Sequence, residues 1–515
     1  MKKLLTLVWV LSSPLFGQMT NTLRNSLVTV IVHKQDVDVH EPWRSGRVYT
    51  EEHVGSVVSF DNNNEKGILV KASALAFAKR IEMQLVSGTE LVELSPRFVD
   101  YEINLALLQP TEPDLLESLH ALMISDRELP SEEEVALYKI ENGTHVVRYH
   151  SLLRDVNYGE RTDTSSYPTI NYVFKLPLKE LGWSEPILSR GALVALAVGQ
   201  DDEDNVHAIP GSIVSHFLND SLNDKYEGFP TMGIKILDLS SPNMRVALGI
   251  ENNQKGALIA SVRKNSSFAD KISAGDVLLA IEGNAINAKG NYIHPIWGEK
   301  FAGACLYKYY AGDTITIDVI KDHKRQKFSG RLQRYNSNLQ TIPYYAFDTK
   351  PVYRIVGGLV FQELTRPYLR SWGRDWEGDA PSALAHLWRI QNEIPSHLKD
   401  RIIILNQVLA DEANKGYEGI ANAVVQFVNN QEIHSFNDFE RALTKPALKN
   451  GEAFVRIKLD YGEGEVILAM KDLAKANERI ADNYGVYEKS VFFNPPPPEA
   501  RPSETVQSEE GSNLK

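Results

Sequence analysis

Cysteine is almost absent from this sequence, since Cys305 is the only one among 515 residues. A single thiol excludes an intramolecular disulfide and any zinc site built from several cysteines. We therefore expect the chain to depend on its hydrophobic cores for stability. Cys305 itself is interpreted as a small buried residue, because a free cysteine packs as a small hydrophobe.

Basic residues are fewer than acidic residues. Lysine and arginine total 55 against 67 aspartate and glutamate residues, which gives a net charge of −12 at pH 7. Non-specific binding to nucleic acid requires a basic surface that releases counterions from the phosphates. Nucleic acid is therefore excluded as a partner.

An acidic run, Asp201-Asp202-Glu203-Asp204, is the one segment that raises the question of a metal site. It could bind calcium or form a solvated turn. A calcium loop of the twelve-residue type needs a central glycine and spaced ligands, which this run lacks, so the turn is favoured. No metal and no other cofactor is predicted.

Long apolar runs are missing beyond the N-terminus, where no stretch reaches the roughly 18 residues of a membrane-spanning helix. The N-terminus reads Met1-Lys2-Lys3, then an apolar segment from Leu4 to Phe16, then Gly17. This order is typical of a secretory signal peptide, which we predict at residues 1–17. The mature protein is expected to be periplasmic or secreted, without a membrane span.

Short β-branched runs separated by polar turns fill residues 25–220. Examples are Leu27–Val32, Gly55–Phe60 and Ala192–Val198. Many short strands at this spacing favour an all-β barrel or sandwich.

Residues 228–335 and 340–475 follow a different pattern, in which strands alternate with short amphipathic helices. This pattern indicates two α+β units. Each unit opens with an apolar segment that contains glycine, Phe229–Ile234 in the first and Ile355–Phe361 in the second. We interpret the two units as a diverged repeat.

The remaining residues, 476–515, form a C-terminal extension. A run of prolines, Pro495–Pro498, precedes a polar tail. Because few apolar residues remain there to bury, disorder is predicted from about residue 494.

Three segments of the β-rich region are similar to successive strands of the trypsin-like domain of HtrA/Deg proteases: Gly55–Phe60, Gly67–Leu75 and Ile103–Leu108. The resemblance implies a multidomain chain with a trypsin-like double barrel followed by two PDZ-like domains. It also places Ser73 where the family has its histidine base and Asn104 where the family has its aspartate. A serine hydroxyl cannot accept the nucleophile's proton as imidazole does, and a neutral asparagine cannot stabilise an imidazolium.

The nucleophile loop of the family resembles Gly182-Trp183-Ser184-Glu185. Ser184 keeps the residue type of the nucleophile, but Glu185 replaces a glycine. An acidic side chain beside an oxyanion hole opposes the negative charge that develops in the transition state. No triad is therefore predicted to be intact at Ser73, Asn104 and Ser184.

A substitute base remains an alternative. A Ser–Lys dyad could use Lys71 or Lys179, or a histidine could be supplied from elsewhere in the domain, although a lone histidine is more often a surface or core residue. The histidines in question are His33, His40, His53, His145, His150, His207 and His216.

A peptide-binding loop is predicted at Thr231, Met232, Gly233 and Ile234, which resemble the carboxylate loop of a PDZ domain. Such a domain adds a chain terminus to a sheet edge, and a glycine lets the loop backbone approach the ligand. The segment Ile272–Asn284 resembles the Gly-Asp-Val-Ile region of PDZ domains in this family.

The helix that closes the predicted groove is expected over Lys300–Tyr310. Its residues Phe301, Leu306 and Tyr309 face either the peptide pocket or the core, and helical spacing does not distinguish the two. We include Phe301 and Leu306 among the candidate peptide-binding residues.

The second α+β unit resembles the second PDZ domain of plant-type Deg proteases through Gly357–Leu369, Ile404–Glu418 and Val425–Ile433. The resemblance leaves open whether this domain captures a ligand or serves assembly.

The leading hypothesis is an exported pseudoprotease that binds exposed or C-terminal peptide segments as a scaffold or chaperone-like factor. One alternative is an active serine endopeptidase of protein quality control. The other is a regulatory assembly subunit of an active paralogue. The resemblance also implies a homo-oligomer, either a trimer or a multiple of trimers.

Overall fold

The computed structural model describes residues 23–495, apart from 61–64, 87, 160–165, 178–183, 202, 223–224, 249, 251–254, 264, 346, 374, 392–399 and 461–463. The predicted signal peptide, the proline-rich tail, Lys179, Gly182 and Trp183 lie outside the described residues. The chain forms two compact units. The first extends to Asp38 and from Arg44 to Lys350, and the second comprises Val39–Trp43 and the chain from Pro351 onward.

Two closed β-barrels begin the first unit. In the first barrel the strand order is β1-β2-β3-β6-β5-β4, and alternate valines of the first strand, Val28, Val30 and Val32, are fully buried in its core. A 3-10 helix, Ala72–Leu75, follows the third strand. The strands are β1 (Leu27–Val37), β2 (Ser45–Ser59), β3 (Lys66–Val70), β4 (Ala78–Leu85), β5 (Leu91–Asp100) and β6 (Leu105–Pro110).

The second barrel has the strand order β10-β11-β12-β9-β8-β7. Helix α1 (Gly211–Ser221) leaves its last strand and buries Ile213, Val214 and Phe217 on one face. The two closed barrels confirm the predicted all-β double barrel. The strands are β7 (Glu134–Glu141), β8 (His145–Gly159), β9 (Thr169–Lys175), β10 (Pro186–Ser189), β11 (Ala192–Gln200) and β12 (Asn205–Pro210).

An α+β domain completes the first unit. Its main sheet has the order β14-β15-β16-β20-β21, with β17 paired to β16, and helix α2 (Pro242–Ala247) follows β14. A 3-10 helix covers Ala302–Lys308. The strands are β13 (Pro230–Thr231), β14 (Ile234–Leu237), β15 (Ala257–Val262), β16 (Val277–Ile281), β17 (Asn284–Ala285), β18 (Asn291–His294), β19 (Gly298–Phe301), β20 (Thr314–Lys321), β21 (Lys324–Arg331) and β22 (Gln333–Arg334).

The second unit is a separate α+β domain around a sheet of order β23-β24-β25-β26-β29-β28. Its strands are β23 (Tyr353–Val356), β24 (Leu359–Glu363), β25 (Ile403–Val408), β26 (Ala423–Val428), β27 (Gln431–Glu432), β28 (Ala447–Lys449), β29 (Glu452–Leu459) and β30 (Glu465–Ala469). Its helices are α3 (Arg366–Arg370), α4 (Trp376–Asp379), α5 (Ser382–Ile390), α6 (Phe436–Leu443) and α7 (Met470–Tyr484).

Helix α7 continues across residue 475, where the sequence predicted the second α+β unit to end. Its residues Leu473, Ala476 and Ile480 are fully buried, and their spacing is that of one helix face. Phe493 lies in the same core as Leu473. The helix therefore continues from the second α+β unit into the first part of the predicted C-terminal extension.

Across the described residues, the helices are all too short or too polar to span a bilayer.

Candidate functional site

Ser73 and Asn104, which the sequence predicted at the base and acid positions of the triad, lie together in the first barrel. Ser73 belongs to the 3-10 helix after β3, and Asn104 directly precedes β6 with φ +65°. The backbone N–H of Ser73 donates to Asn104 Oδ1 at 2.7 Å. Asn104 therefore holds the main chain of the base position, where no imidazole is present.

Two polar atoms at these positions lack partners in the described structure. Ser73 Oγ and Asn104 Nδ2 are both buried without a hydrogen bond, and the asparagine side chain is only 1% exposed. Neither group has an appreciable tendency to accept a proton at neutral pH. Neither side chain is therefore suited to act as a general base.

Ser184 is fully buried at the start of the second barrel's β10 hairpin, with φ +127°. Its Oγ accepts a hydrogen bond from the backbone N–H of Lys71 at 3.0 Å. Its own backbone N–H donates to Glu185 Oε2 at 3.2 Å. In serine proteases the backbone N–H of the nucleophile is an oxyanion-hole donor. Here the carboxylate of Glu185 accepts the N–H of Ser184.

Lys71 brings a buried amine close to this site. Burial lowers the pKa of its ammonium group to about 8, while the carboxylates of Glu185 and Glu51 partly oppose that shift. Glu185 is itself fully buried. Lys71 is one of the two lysines predicted as candidates for a Ser–Lys dyad, and its backbone N–H contacts Ser184.

The histidines raised as substitute bases have other partners. His33 contacts Thr50 and Glu82, and His207 contacts Asp201. The hydrogen bonds of Ser184 go to Lys71 and Glu185. Among the described hydrogen bonds of Ser184, none involves a histidine. His40 does contact a serine, but that serine is Ser371.

His216 is buried on helix α1, and its ring stacks on Phe229 at 4.4 Å and on Tyr310 at 3.7 Å. Burial lowers the pKa of the imidazole to about 4, so His216 is neutral at physiological pH. It lines a cavity of 480 Å³ between helix α1 and the 3-10 helix of the first α+β domain. The ring serves to pack the domain against the second barrel.

The loop that carries Asn104 is fixed by contacts from beyond the barrel. Asp100 Oδ1 accepts the backbone N–H groups of Glu102 and Ile103, while Asp100 Oδ2 accepts the hydroxyl of Tyr226 at 2.7 Å. Burial raises the pKa of Glu102 to about 7, helped by the charge of Asp100. The contact between Asp100 and Tyr226 was missed at the sequence level, because the two residues are 126 positions apart.

The predicted carboxylate loop forms a tight turn before the edge strand β14. Gly233 has φ +68°, and a β-carbon there would lie 2.9 Å from Ser266 Cα, so only glycine fits. Its N–H donates to Thr231 Oγ1 at 3.1 Å. Met232 is buried, and its carbonyl accepts the hydroxyl of Ser266. The loop thus has the glycine turn and the free sheet edge that strand addition requires.

The groove helix differs from its prediction over Lys300–Tyr310. Phe301 ends strand β19, and a 3-10 helix covers Ala302–Lys308. The ring of Phe301 stacks on Tyr158 of β8 at 5.4 Å, so it packs against the second barrel. Leu306 is buried in the core at 6% exposure.

Cys305 lies half-buried in the same 3-10 helix. Burial raises the pKa of its thiol to about 12, so the reactive thiolate is not formed at neutral pH.

Of the acidic run, Asp201, Glu203 and Asp204 lie within the described residues, and Asp201 stabilises a turn there. Asp201 Oδ1 accepts the backbone N–H groups of Glu203 and Asn205 at 2.9 Å. Among the described residues, no group of three or more acidic, histidine or cysteine side chains could hold a metal ion.

The chain is similar in sequence to a known domain family and to known proteins. The PDZ domain family matches residues 230–332 and again residues 342–490. Protease Do-like 2, chloroplastic, of Arabidopsis thaliana is 30% identical over 248 residues, which cover 47% of this chain and 38% of that protein. Putative protease Do-like 3, mitochondrial, of the same plant is 22% identical over 451 residues, covering 85% of this chain and 76% of that protein.

A solved structure, HtrA-type protease AlgW with decapeptide, aligns with a TM-score of 0.47 and 13% identity, covering 62% of this chain and 99% of that one. The chain thus spans about two fifths of the first relative and about three quarters of the second.

The two closed barrels followed by two PDZ domains define a trypsin-like protease homologue with a C-terminal PDZ pair. The Do-like relatives specify the class further. The chain is similar to proteases of the HtrA/Deg family.

Proposed function

We propose that the chain is an HtrA/Deg-like pseudoprotease that binds exposed or C-terminal peptide segments as a scaffold or chaperone-like factor. The arrangement around Ser184 carries this proposal. The hydroxyl is fully buried and accepts a backbone N–H, and the N–H of the same residue is bonded to a carboxylate. A hydroxyl without a base and without an oxyanion donor does not acylate.

Peptide capture is supported by the first PDZ domain. Strand β14 is the first strand of its sheet, so its outer edge is available to an added chain. Ile234 and Ile236 of this strand are half-buried against the core, and Lys235 and Leu237 on the other face are exposed. An incoming peptide would extend this sheet, with its terminal carboxylate at the Gly233 turn.

An active endopeptidase is the second candidate, and one observation favours it. Lys71 is buried, its pKa is lowered to about 8, and its backbone N–H contacts Ser184. A neutral lysine is a known type of general base. The role as an assembly subunit, the homo-oligomer (a trimer or a multiple of trimers) and the periplasmic or secreted location remain predictions.

The first prediction concerns catalysis. We expect the full-length protein to show no labelling by a serine-reactive fluorophosphonate and no cleavage of an unfolded protein substrate between pH 7 and pH 9. Loss of the base alone costs roughly a million-fold in turnover in a serine protease. Labelling is read by in-gel fluorescence against an active protease of the same family.

Two variants, Ser184→Ala and Lys71→Met, make this result decisive. Labelling that rises through pH 8 and disappears in both variants would establish the Ser–Lys endopeptidase. Labelling that persists in Ser184→Ala would exclude Ser184 as the labelled residue and would still contradict the expected absence of labelling.

The second prediction concerns the ligand. We expect peptides with a free C-terminal carboxylate to bind at least about tenfold more tightly than the same peptides amidated, because the charge-assisted bonds to the loop are lost on amidation. Ile236→Asn should reduce binding by about tenfold, since it places an amide on the apolar face of β14. Binding is measured by fluorescence anisotropy with a degenerate C-terminal peptide library.

Leu237→Asn is the matched control, because it lies next to Ile236 on the exposed face of the strand. We expect it to bind as the wild type does. Equal binding of free and amidated peptides, or an equal loss in both variants, would argue against carboxylate capture at β14. The absence of any binding would favour the assembly subunit.

A further inference from the structure

The segment that follows the first PDZ domain returns to the first barrel. We call it the strap and define it as residues 335–345 with Phe347 and Asp348. At its start, Ser337 donates its backbone N–H to Glu102 Oε1 at 2.7 Å and its hydroxyl at 3.2 Å. Within it, Ile342 and Tyr344 are buried.

The end of the strap contacts the residue next to Glu102. The ring of Phe347 stacks on Tyr101 with centroids 4.2 Å apart, and on Tyr345 at 4.5 Å. The carboxylate of Asp348 accepts the backbone N–H of Phe77 at 2.6 Å and the hydroxyl of Tyr101. The strap therefore starts and ends on adjacent residues of one barrel loop, as compact loops with close ends do.

Phe77 and Tyr101 lie on either side of the degenerate base–acid pair. Phe77 is four residues after Ser73, and Tyr101 is three residues before Asn104. Because the Ser73 N–H is bonded to Asn104, Phe77 and Tyr101 lie at one edge of the cleft that contains this pair. We call this edge the rim. That edge presents a backbone donor, a phenol hydroxyl and an aromatic ring.

We propose that this rim is a peptide subsite for an aromatic residue followed by an acidic one, and that Phe347 and Asp348 occupy it as an internal ligand. The recognition is specific for two chemical features. An aromatic ring stacks on the ring of Tyr101. A carboxylate accepts hydrogen bonds from the backbone N–H of Phe77 and the hydroxyl of Tyr101. The site is distinct from the PDZ groove, so its failure would leave the capture of peptides at β14 untouched.

The tether explains why an external peptide would not bind the unmodified protein well. A ligand attached by a short linker acts at an effective concentration of roughly millimolar, so free peptides of ordinary affinity compete poorly. Removing the internal ligand should uncover the subsite. The occupant of the uncovered site is then any extended segment with an aromatic–acidic pair.

The test uses the full-length double variant Phe347→Ala/Asp348→Ala and a labelled synthetic peptide with the sequence of residues 345–349. We expect the variant to bind this peptide at least about tenfold more tightly than the wild type does. Replacing the aspartate of the peptide by asparagine, or adding Tyr101→Ala to the variant, should abolish the gain. A folded double variant that binds no better than the wild type would overturn the proposal.

Hydrogen exchange gives a second test that does not depend on the double variant folding. In Asp348→Ala, the amide of Phe77 loses its acceptor, so exchange in the segment 72–80 should accelerate at least about tenfold. The exposed neighbour Thr349→Ala is the matched control and should exchange as the wild type does. Unchanged exchange in Asp348→Ala, with an unaltered melting temperature, would show that the strap does not hold the rim.

Discussion

Replacing Gly358 by alanine should destabilise the second unit by about 4 kcal/mol. This is one of the two largest effects that we predict for a single substitution in this chain. Gly358 has φ +92°, and a β-carbon there would lie 2.3 Å from Asn414 Nδ2 and 2.4 Å from the carbonyl oxygen of Leu409. Asn414 is fully buried, and its amide donates to the carbonyls of Gly357 and Leu409. The methyl group would break these bonds in the core.

Thermal or urea unfolding followed by tryptophan fluorescence measures this effect, because four of the seven tryptophans lie in the second unit. Gly416→Ala is a matched control. Gly416 has nearly the same backbone angle, φ +94°, but no atom lies within 4 Å of its added β-carbon. It should cost only about 1–2 kcal/mol of backbone strain. An equal loss of unfolding free energy in the two variants would mean that the hydrogen bonds of Asn414 do not contribute to stability.

The strands of the barrels were predictable because their signal is local. The apolar runs at Leu27–Val32 and Ala192–Val198 fall inside β1 and β11. Runs of this kind are buried on both faces in a closed barrel, so composition alone marks them. The resemblance to a trypsin-like domain supplied the closure of the strands into two barrels.

The contacts of the candidate site could be predicted only in part. The flanking strands placed Ser73 and Asn104 at the base and acid positions, and the structure joins the two by a hydrogen bond. The bond from Lys71 to Ser184 spans 113 positions and depends on φ +127° at a residue other than glycine. No pattern of spacing carries that information, because it arises from how the two barrels pack.

The groove helix was misplaced for a similar reason. The helix over Lys300–Tyr310 was predicted from helical spacing, which contains no information about contacts with the second barrel. In the structure, Tyr158 of that barrel packs against Phe301. A β-carbon at Gly303 would lie 2.2 Å from Tyr158 Oη, so glycine there allows a close approach that a regular surface helix would not need. Tertiary contact thus determined the local structure.

Gly211→Ala should destabilise the first unit by about 3–5 kcal/mol. Gly211 is the first residue of helix α1, and its β-carbon would lie 2.2 Å from the carbonyl oxygen of Ser125 and 3.1 Å from that of Leu193. Both atoms are backbone, and the N–H of Ser125 is bonded to that same Leu193 oxygen. No rotamer change relieves the clash, so the helix and the strand must move apart.

The expected consequence extends to the first PDZ domain, because helix α1 also carries His216, whose ring stacks on Phe229 and Tyr310. A displaced helix should therefore weaken peptide binding as well as stability. Gly88→Ala, whose β-carbon meets only ordinary contacts at 3.5 Å, is the control and should leave both unchanged. Calorimetry of the full chain separates the two units, and a Gly211→Ala loss confined to the second unit would contradict this account, since the clash lies wholly in the first.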